Sequence, residues 1–149
     1  MKDLANNLLA AQSLAPLVRT ADANGTGVDL QFFEGAMAIV DVGAEGDTLS
    51  SSVKIDFKLE HSDDNSSFSA VTSSSDVTDG SVDSNGIFAT FDDNAEAPAI
   101  AAIGYVGGKR YLRVVADHTG THSNGTPYGA MILKGAPRHA GGADSSSSS

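Results

Sequence analysis

The chain has 149 residues, a formal net charge of −10, 40% hydrophobic and 6% aromatic residues, and neither cysteine nor tryptophan. That length fits one domain with a real core, and the acidic balance lacks the electrostatic footprint of a nucleic-acid binder. Without cysteine there is no disulfide, no thiolate nucleophile and no Cys-ligated zinc, and the apolar run near the start is far too short to span a membrane.

Residues 1–20 form a separate segment. Leu4, Leu8 and Ala11 recur at helical spacing, Leu14 and Leu17 follow, and Pro16 ends or kinks the run. Two readings stand: a short helix closing one end of the domain, or an arm whose leucines dock on a neighbouring subunit. Lys2 is followed at once by Asp3, and Asn6, Asn7 and Gln12 interrupt the apolar stretch, which argues against a secretory signal peptide.

A β-domain is expected over residues 21–137. After Asn24-Gly25, the stretch from Val28 to Val42 reads as two strands broken near Glu34-Gly35. In its second half Met37, Ile39 and Asp41 alternate with Ala38, Val40 and Val42; a run apolar on both faces suits a central strand. Val53, Ile55, Phe57 and Leu59 alternate with Lys54, Asp56, Lys58 and Glu60, the pattern of a strand with one oily and one charged face. Ser62-Asp63-Asp64-Asn65 is turn chemistry. A long Ser- and Asp-rich stretch leads to Asn85-Gly86, a hairpin signal before Ile87, Phe88 and Phe91.

Ala99 to Tyr105 is mildly apolar. In the next strand Leu112, Val114 and Ala116 are assigned to the core, and Tyr128 to Lys134 is the last strand. Residues 138–149 have no apolar pattern and read as a flexible tail. Seven or eight short strands with turn signals between them predict an all-β fold, an antiparallel β-sandwich or jelly roll with a short N-terminal helix or arm. Sequential strands are expected to pair antiparallel.

Few constellations suggest chemistry. His118 and His122 have i,i+4 spacing, but Gly120 and two threonines between them make the segment a loop, so they read as polar loop histidines rather than metal ligands. Asp76, Asp79, Asp83 and Asn85 lack calcium-loop spacing and its closing glutamate, and read as a solvated acidic loop. No nucleophile elbow, dinucleotide fingerprint or phosphate loop occurs. No enzyme, cofactor or metal is expected. The basic cluster Lys109, Arg110 and Arg113, beside Tyr105 and Tyr111, is either a strand's solvent face or an interface for an acidic partner surface.

The order NLLAAQSLAPLV, NGTGVDLQ, EGAMAIVDVGA, KLEHSDDNSSFSAV, GGKRYLRVV and KGAPRH resembles small head-associated virion proteins of tailed bacteriophages and gene transfer agents, which decorate capsids or form the base of a spike at a vertex. The resemblance covers most of residues 4–139. It implies a non-enzymatic structural protein, made in the host cytoplasm and carried on the outer surface of the head. It implies as partners the major capsid protein, further copies as a trimer or pentamer, and a spike or fibre protein, with no membrane or nucleic acid. Leu4, Leu8, Leu14, Leu17, Lys109, Arg110, Tyr111 and Arg113 are the expected interface residues. The family pattern has glycine near Phe32 and where Asn65 stands; asparagine holds a left-handed turn, whereas phenylalanine is a poor substitute. Rival readings are a neck or tail component and a host-surface carbohydrate-binding module.

Overall fold

The computed structural model describes residues 3–137; the expected tail, 138–149, lies outside them. Eleven strands follow one another: β1 (Leu9–Arg19), β2 (Ala23–Asn24), β3 (Val28–Asp29), β4 (Phe33–Val42), β5 (Lys54–Ser62), β6 (Ser69–Ala70), β7 (Val77–Thr78), β8 (Ile87–Phe91), β9 (Ala99–Tyr105), β10 (Tyr111–Thr119) and β11 (Thr126–Pro137). They form two packed antiparallel sheets, an all-β sandwich. Sheet A has the order β1-β11-β4-β9-β7. Sheet B has the order β2-β10-β5-β6, with β3 also on β10 and β8 also on β5.

The two-residue period builds the core. Ile55, Phe57 and Leu59 of β5 are wholly buried, as are Leu112, Val114 and Ala116 of β10, and they face Ala38, Val40 and Val42 of β4 and Ile132 of β11. Phe57 sits at the centre, edge-on to Phe91 at 5.8 Å and to Tyr128 at 5.0 Å between ring centroids. Edge-to-face rings satisfy the positive rim and negative face of each π-system.

Pairing is less local than the sequence suggests. Among the described strands only β5 and β6 are both consecutive and paired; the long ladders join β1 to β11, β4 to β9 and β5 to β10. Apart from β2–β3 and β5–β6, successive strands pass from one sheet to the other instead of folding back as hairpins. The Asn85-Gly86 turn forms, with Gly86 at φ +82° and its N–H donating to the Asp83 carbonyl at 3.0 Å. It joins β7 of sheet A to β8 of sheet B, so it is no hairpin.

The N-terminal helix is not formed. Leu9–Arg19 is an edge strand of sheet A paired to β11, preceded by one turn in which Asn7 N–H donates to the Leu4 carbonyl at 3.0 Å. Pro16 fits because the ladder is irregular between Leu14 and Leu17, and an edge strand tolerates a missing N–H. Buried Ser13 joins this strand to sheet B: its hydroxyl donates to the Thr26 carbonyl at 3.0 Å and accepts the Val114 N–H at 3.1 Å. Gly25 lies in that crossing, where an added Cβ would stand 2.4 Å from the Val114 carbonyl oxygen.

The break between β3 and β4 falls earlier than Glu34-Gly35. Phe32 takes a φ of +75° and the Phe33 N–H donates to the Leu30 carbonyl at 3.0 Å. Asn65 likewise has φ +60°. Phe32 and Asn65 are therefore both left-handed.

Candidate attachment surfaces

The expected basic cluster comes together where the chain enters β10, but its charges are already matched. Lys109 Nζ lies 3.1 Å from Asp63. Arg110 donates twice to Asp29, at 2.9 and 2.8 Å, and this fork holds the Asp29 carboxyl below its ordinary range and raises the guanidinium. Arg113 meets Glu60 at 2.6 Å and covers the face of Phe68 at 4.0 Å. Tyr111 is half-buried, with the Arg110 guanidinium 5.2 Å from its ring centre. The outer face of sheet B continues in the same manner, with Lys58 on Asp117 at 3.2 Å and Lys54 on Asp56 at 3.6 Å. Asp56 is buried and also accepts from the Thr90 hydroxyl at 2.6 Å. This is a charge-paired solvent face, not a free positive patch.

The four N-terminal leucines separate. Leu14 is 3% exposed and belongs to the core, so it cannot meet a partner; β1 turns it inward opposite Ala130. Leu8 is half-buried, whereas Leu4 and Leu17 are 54% and 57% exposed.

The outer face of sheet A carries what sequence reasoning missed. One row across the strands reads Ala102, Ile39, Met131, Gln12; a second reads Ile100, Asp41, Gly129; a third reads Gly104, Met37, Leu133, Ala10. Asp41 is the single charged side chain in these rows. Ile100 is 69% and Met131 44% exposed. Beside them β1 bulges outward, with Pro16 packed over Gly129: a Cβ on that glycine would lie 3.0 Å from the proline Cα. Between Pro16, Leu17 and Val18 on one side and Ile39, Asp41 and Met131 on the other runs an open groove of about 550 Å³. Antiparallel sheets that face water usually alternate apolar-in and polar-out, as sheet B does. The doubly apolar run of β4 signalled this surface; β4 is central within its sheet, yet no second layer covers its outward side chains among the described residues.

Of the two expected loop histidines only His122 lies in a loop, and there it is buried. His118 lies in β10, half-buried, with Nε2 2.8 Å from the Tyr128 hydroxyl; His122 is buried, and its Nε2 donates to the Thr119 carbonyl at 3.0 Å. Their rings are 4.6 Å apart, and burial, then the neighbouring His122, push the His118 pKa down. Burial pushes the Tyr128 hydroxyl up to about 12. Nearby Asp47 pins the following turn by accepting from the N–H groups of Asn124 and Gly125 at 2.9 and 2.8 Å. Among the described residues no group of three or more His, Asp or Glu side chains could hold a metal ion. The acidic residues face backbone instead: Asp83 accepts from the N–H groups of Asn85 and Ile87, and Asp93 from that of Ala95.

No protein-family model matches the chain, and no curated protein matches it. Among solved structures, the crystal structure of the SPBc2 prophage-derived protein YomS is similar with a TM-score of 0.34 and 8% identity, over 85% of this chain and 94% of that one. A likeness this weak says nothing about function.

Proposed function

We propose that this chain is a non-enzymatic structural subunit of the outer surface of a phage-like head, one that decorates or stabilises the capsid or forms a vertex spike base. The observation that carries the reading is the contrast between the two sheets. Sheet B pairs its charges and meets water, whereas sheet A offers rows of apolar side chains with the lone charge of Asp41. An exposed apolar surface of this kind marks an interaction site. The class of partner, the major capsid protein and further copies of the chain, is proposed on the resemblance of the residue order to head-associated proteins. A rigid sandwich with an attachment face suits such a lattice, since many modest contacts on a repeating shell add up.

The test is co-sedimentation of the purified protein with heads that lack it. The protein is expected to travel with the particles, and an Ile100→Asp, Met131→Lys double substitution on sheet A to weaken that association at least tenfold. A protein that stays in the supernatant at moderate salt contradicts the head assignment.

A further inference from the structure

Three asparagines of the chain are followed by glycine: Asn24, Asn85 and Asn124. Such a pair can close on itself. The glycine nitrogen, once deprotonated, attacks the side-chain carbonyl carbon; the new N–C bond displaces ammonia and leaves a five-membered imide. Glycine permits this because it has no Cβ to crowd the ring. Water then adds to either imide carbonyl and opens the ring to aspartate or isoaspartate, so the sum is amide plus water giving carboxylate plus ammonium. The step needs the glycine N–H free of its acceptor and the asparagine free to rotate, so the fold decides where it happens.

The three sites differ in what holds that N–H. Gly25 donates to the Val114 carbonyl of β10 at 2.9 Å, and Asn24 is itself paired with Val115 in the β2–β10 ladder. Gly125 donates to the Asp47 carboxylate at 2.8 Å, and the Asn124 side chain donates to the Gly46 carbonyl at 2.8 Å. Both sites are fastened by residues distant in the chain, and freeing either means parting two segments of the sandwich. Gly86 instead donates at 3.0 Å to the Asp83 carbonyl inside its own turn. The other bonds of that turn are local too: the Asp83 carboxylate accepts the N–H groups of Asn85 and Ile87, and the Asp83 N–H donates to the Ile87 carbonyl. The Gly86 carbonyl is tied to β5 through the Leu59 N–H at 2.8 Å, which leaves the nitrogen side of the residue to the turn. The Asn85 side chain is exposed and has no hydrogen bond among the described residues.

We propose that Asn85 is a site of spontaneous covalent modification in the folded protein, closing on the Gly86 nitrogen and opening to aspartate or isoaspartate, while Asn24 and Asn124 are shielded by their tertiary bonds. A bond inside one exposed turn opens in a local fluctuation, whereas bonds between distant segments open only with larger unfolding. The product has a structural effect. Isoaspartate routes the main chain through the side chain and lengthens it by one methylene, in a turn where a Cβ on Gly86 would already stand 2.9 Å from the Leu59 carbonyl oxygen. Aspartate adds a second carboxylate beside that of Asp83. Both products disturb the entry to β8, which pairs with β5 in sheet B. The modification needs no partner, so it does not depend on attachment to a head.

The test is mass spectrometry of the full chain kept folded in warm, mildly alkaline buffer, beside the same chain unfolded in guanidinium chloride. Trypsin places the three sites in separate peptides, 20–54, 59–109 and 114–134, and fragment ions distinguish Asn85 from Asn65 and Asn94 within the second. Unfolded, the three sites should convert at similar rates. Folded, Asn85 should convert at least about tenfold faster than Asn24 and Asn124, giving a more acidic species on ion exchange. Asp47→Ala removes the acceptor of the Gly125 N–H and should speed Asn124 at least about fivefold with Asn24 unchanged; a thermal melt checks its fold. Asn85→Gln, which would have to close a six-membered ring, should leave peptide 59–109 unmodified. Asn24 or Asn124 keeping pace with Asn85 in the folded chain, Asn65 or Asn94 converting ahead of Asn85, or Asn124 indifferent to Asp47→Ala overturns the assignment. If Asp47→Ala does not fold, the wild-type comparison of the three peptides decides alone.

Discussion

His61 of β5 and Tyr105 of β9 join the two sheets inside the sandwich, with the imidazole Nδ1 2.8 Å from the phenol oxygen. The Lys109 N–H donates to the same oxygen at 3.3 Å, so the phenol also anchors the loop that leads into β10. His118 and Tyr128 repeat the arrangement at 2.8 Å toward the opposite end of the same two sheets. Two histidine–tyrosine bonds thus tie the two sheets together across the interior. Burial raises both tyrosines to about 12, so they remain protonated across the ordinary pH range.

Mild acid should loosen the protein. Burial lowers the pKa of His61, with a further push from Lys109, and burial also lowers that of His118. The folded state then binds fewer protons than the unfolded one, whose histidines titrate near 6.5. Stability is full above that value and declines as pH falls below it toward the folded pKa values. Asp29, Asp64 and Asp83, all held below 3.8, add a second loss at lower pH. Urea midpoints from about pH 8 to about pH 5 should fall, and His61→Gln should flatten the slope. A midpoint constant over that span would show that neither histidine is buried neutral.

The N-terminal strand should be part of the fold. Leu14 is 3% exposed, and Leu14→Ala should cost about 2–5 kcal/mol in urea denaturation, as buried leucine truncations do. Deleting residues 1–8 should leave the sandwich intact, since β1 begins at Leu9. Deleting residues 1–19 removes the pairing of β1 with β11 and the Ser13 bonds to Thr26 and Val114, and should abolish cooperative unfolding.

The alternation in β4, β5 and β10 was legible in the sequence because each strand buries one face, and period two is what burial on one side of a pleat requires. The Ser62–Asn65 turn was legible for a local reason: the Ser62 hydroxyl and Asp64 carboxylate cap neighbouring N–H groups at 2.9–3.1 Å. β1 was not, because Leu4, Leu8 and Ala11 mimic a helix, and only the distant edge of β11 makes a strand the better solution. The sheet A surface was half visible. Met37 and Ile39 marked a doubly apolar strand, but the row that continues through Ala102 and Met131 comes from strands far apart in the chain. The basic cluster was visible while its partners were not, since Asp29, Asp63 and Glu60 reach it only through the tertiary fold.

The left-handed residues offer a local check. Asn65 sits at φ +60° and Phe32 at φ +75°. Asn65→Gly should change stability by no more than about 0.5 kcal/mol, whereas Asn65→Val should cost about 1–2 kcal/mol, because a β-branched side chain crowds the carbonyl in that conformation. Thermal melts of the two variants would separate turn strain from a general loss of hydrogen bonding. Equal effects of Gly and Val would count against a left-handed Asn65.

Salt should distinguish the two candidate surfaces. Were Lys109, Arg110 and Arg113 the attachment site, raising salt from about 0.1 to about 0.5 M would screen the contact and weaken head binding tenfold or more. Each of these cations already meets an acid of its own chain, at 3.1, 2.8 and 2.6 Å, so little free charge is left to steer a partner. Head binding through the apolar rows of sheet A should instead stay within about twofold over that range, because burial of apolar surface is not screened. Arg113→Ala should then leave binding unchanged and lower stability by about 1 kcal/mol, through the loss of Glu60 and the Phe68 face. A steep salt dependence that Arg113→Ala abolishes would move the attachment site to β10.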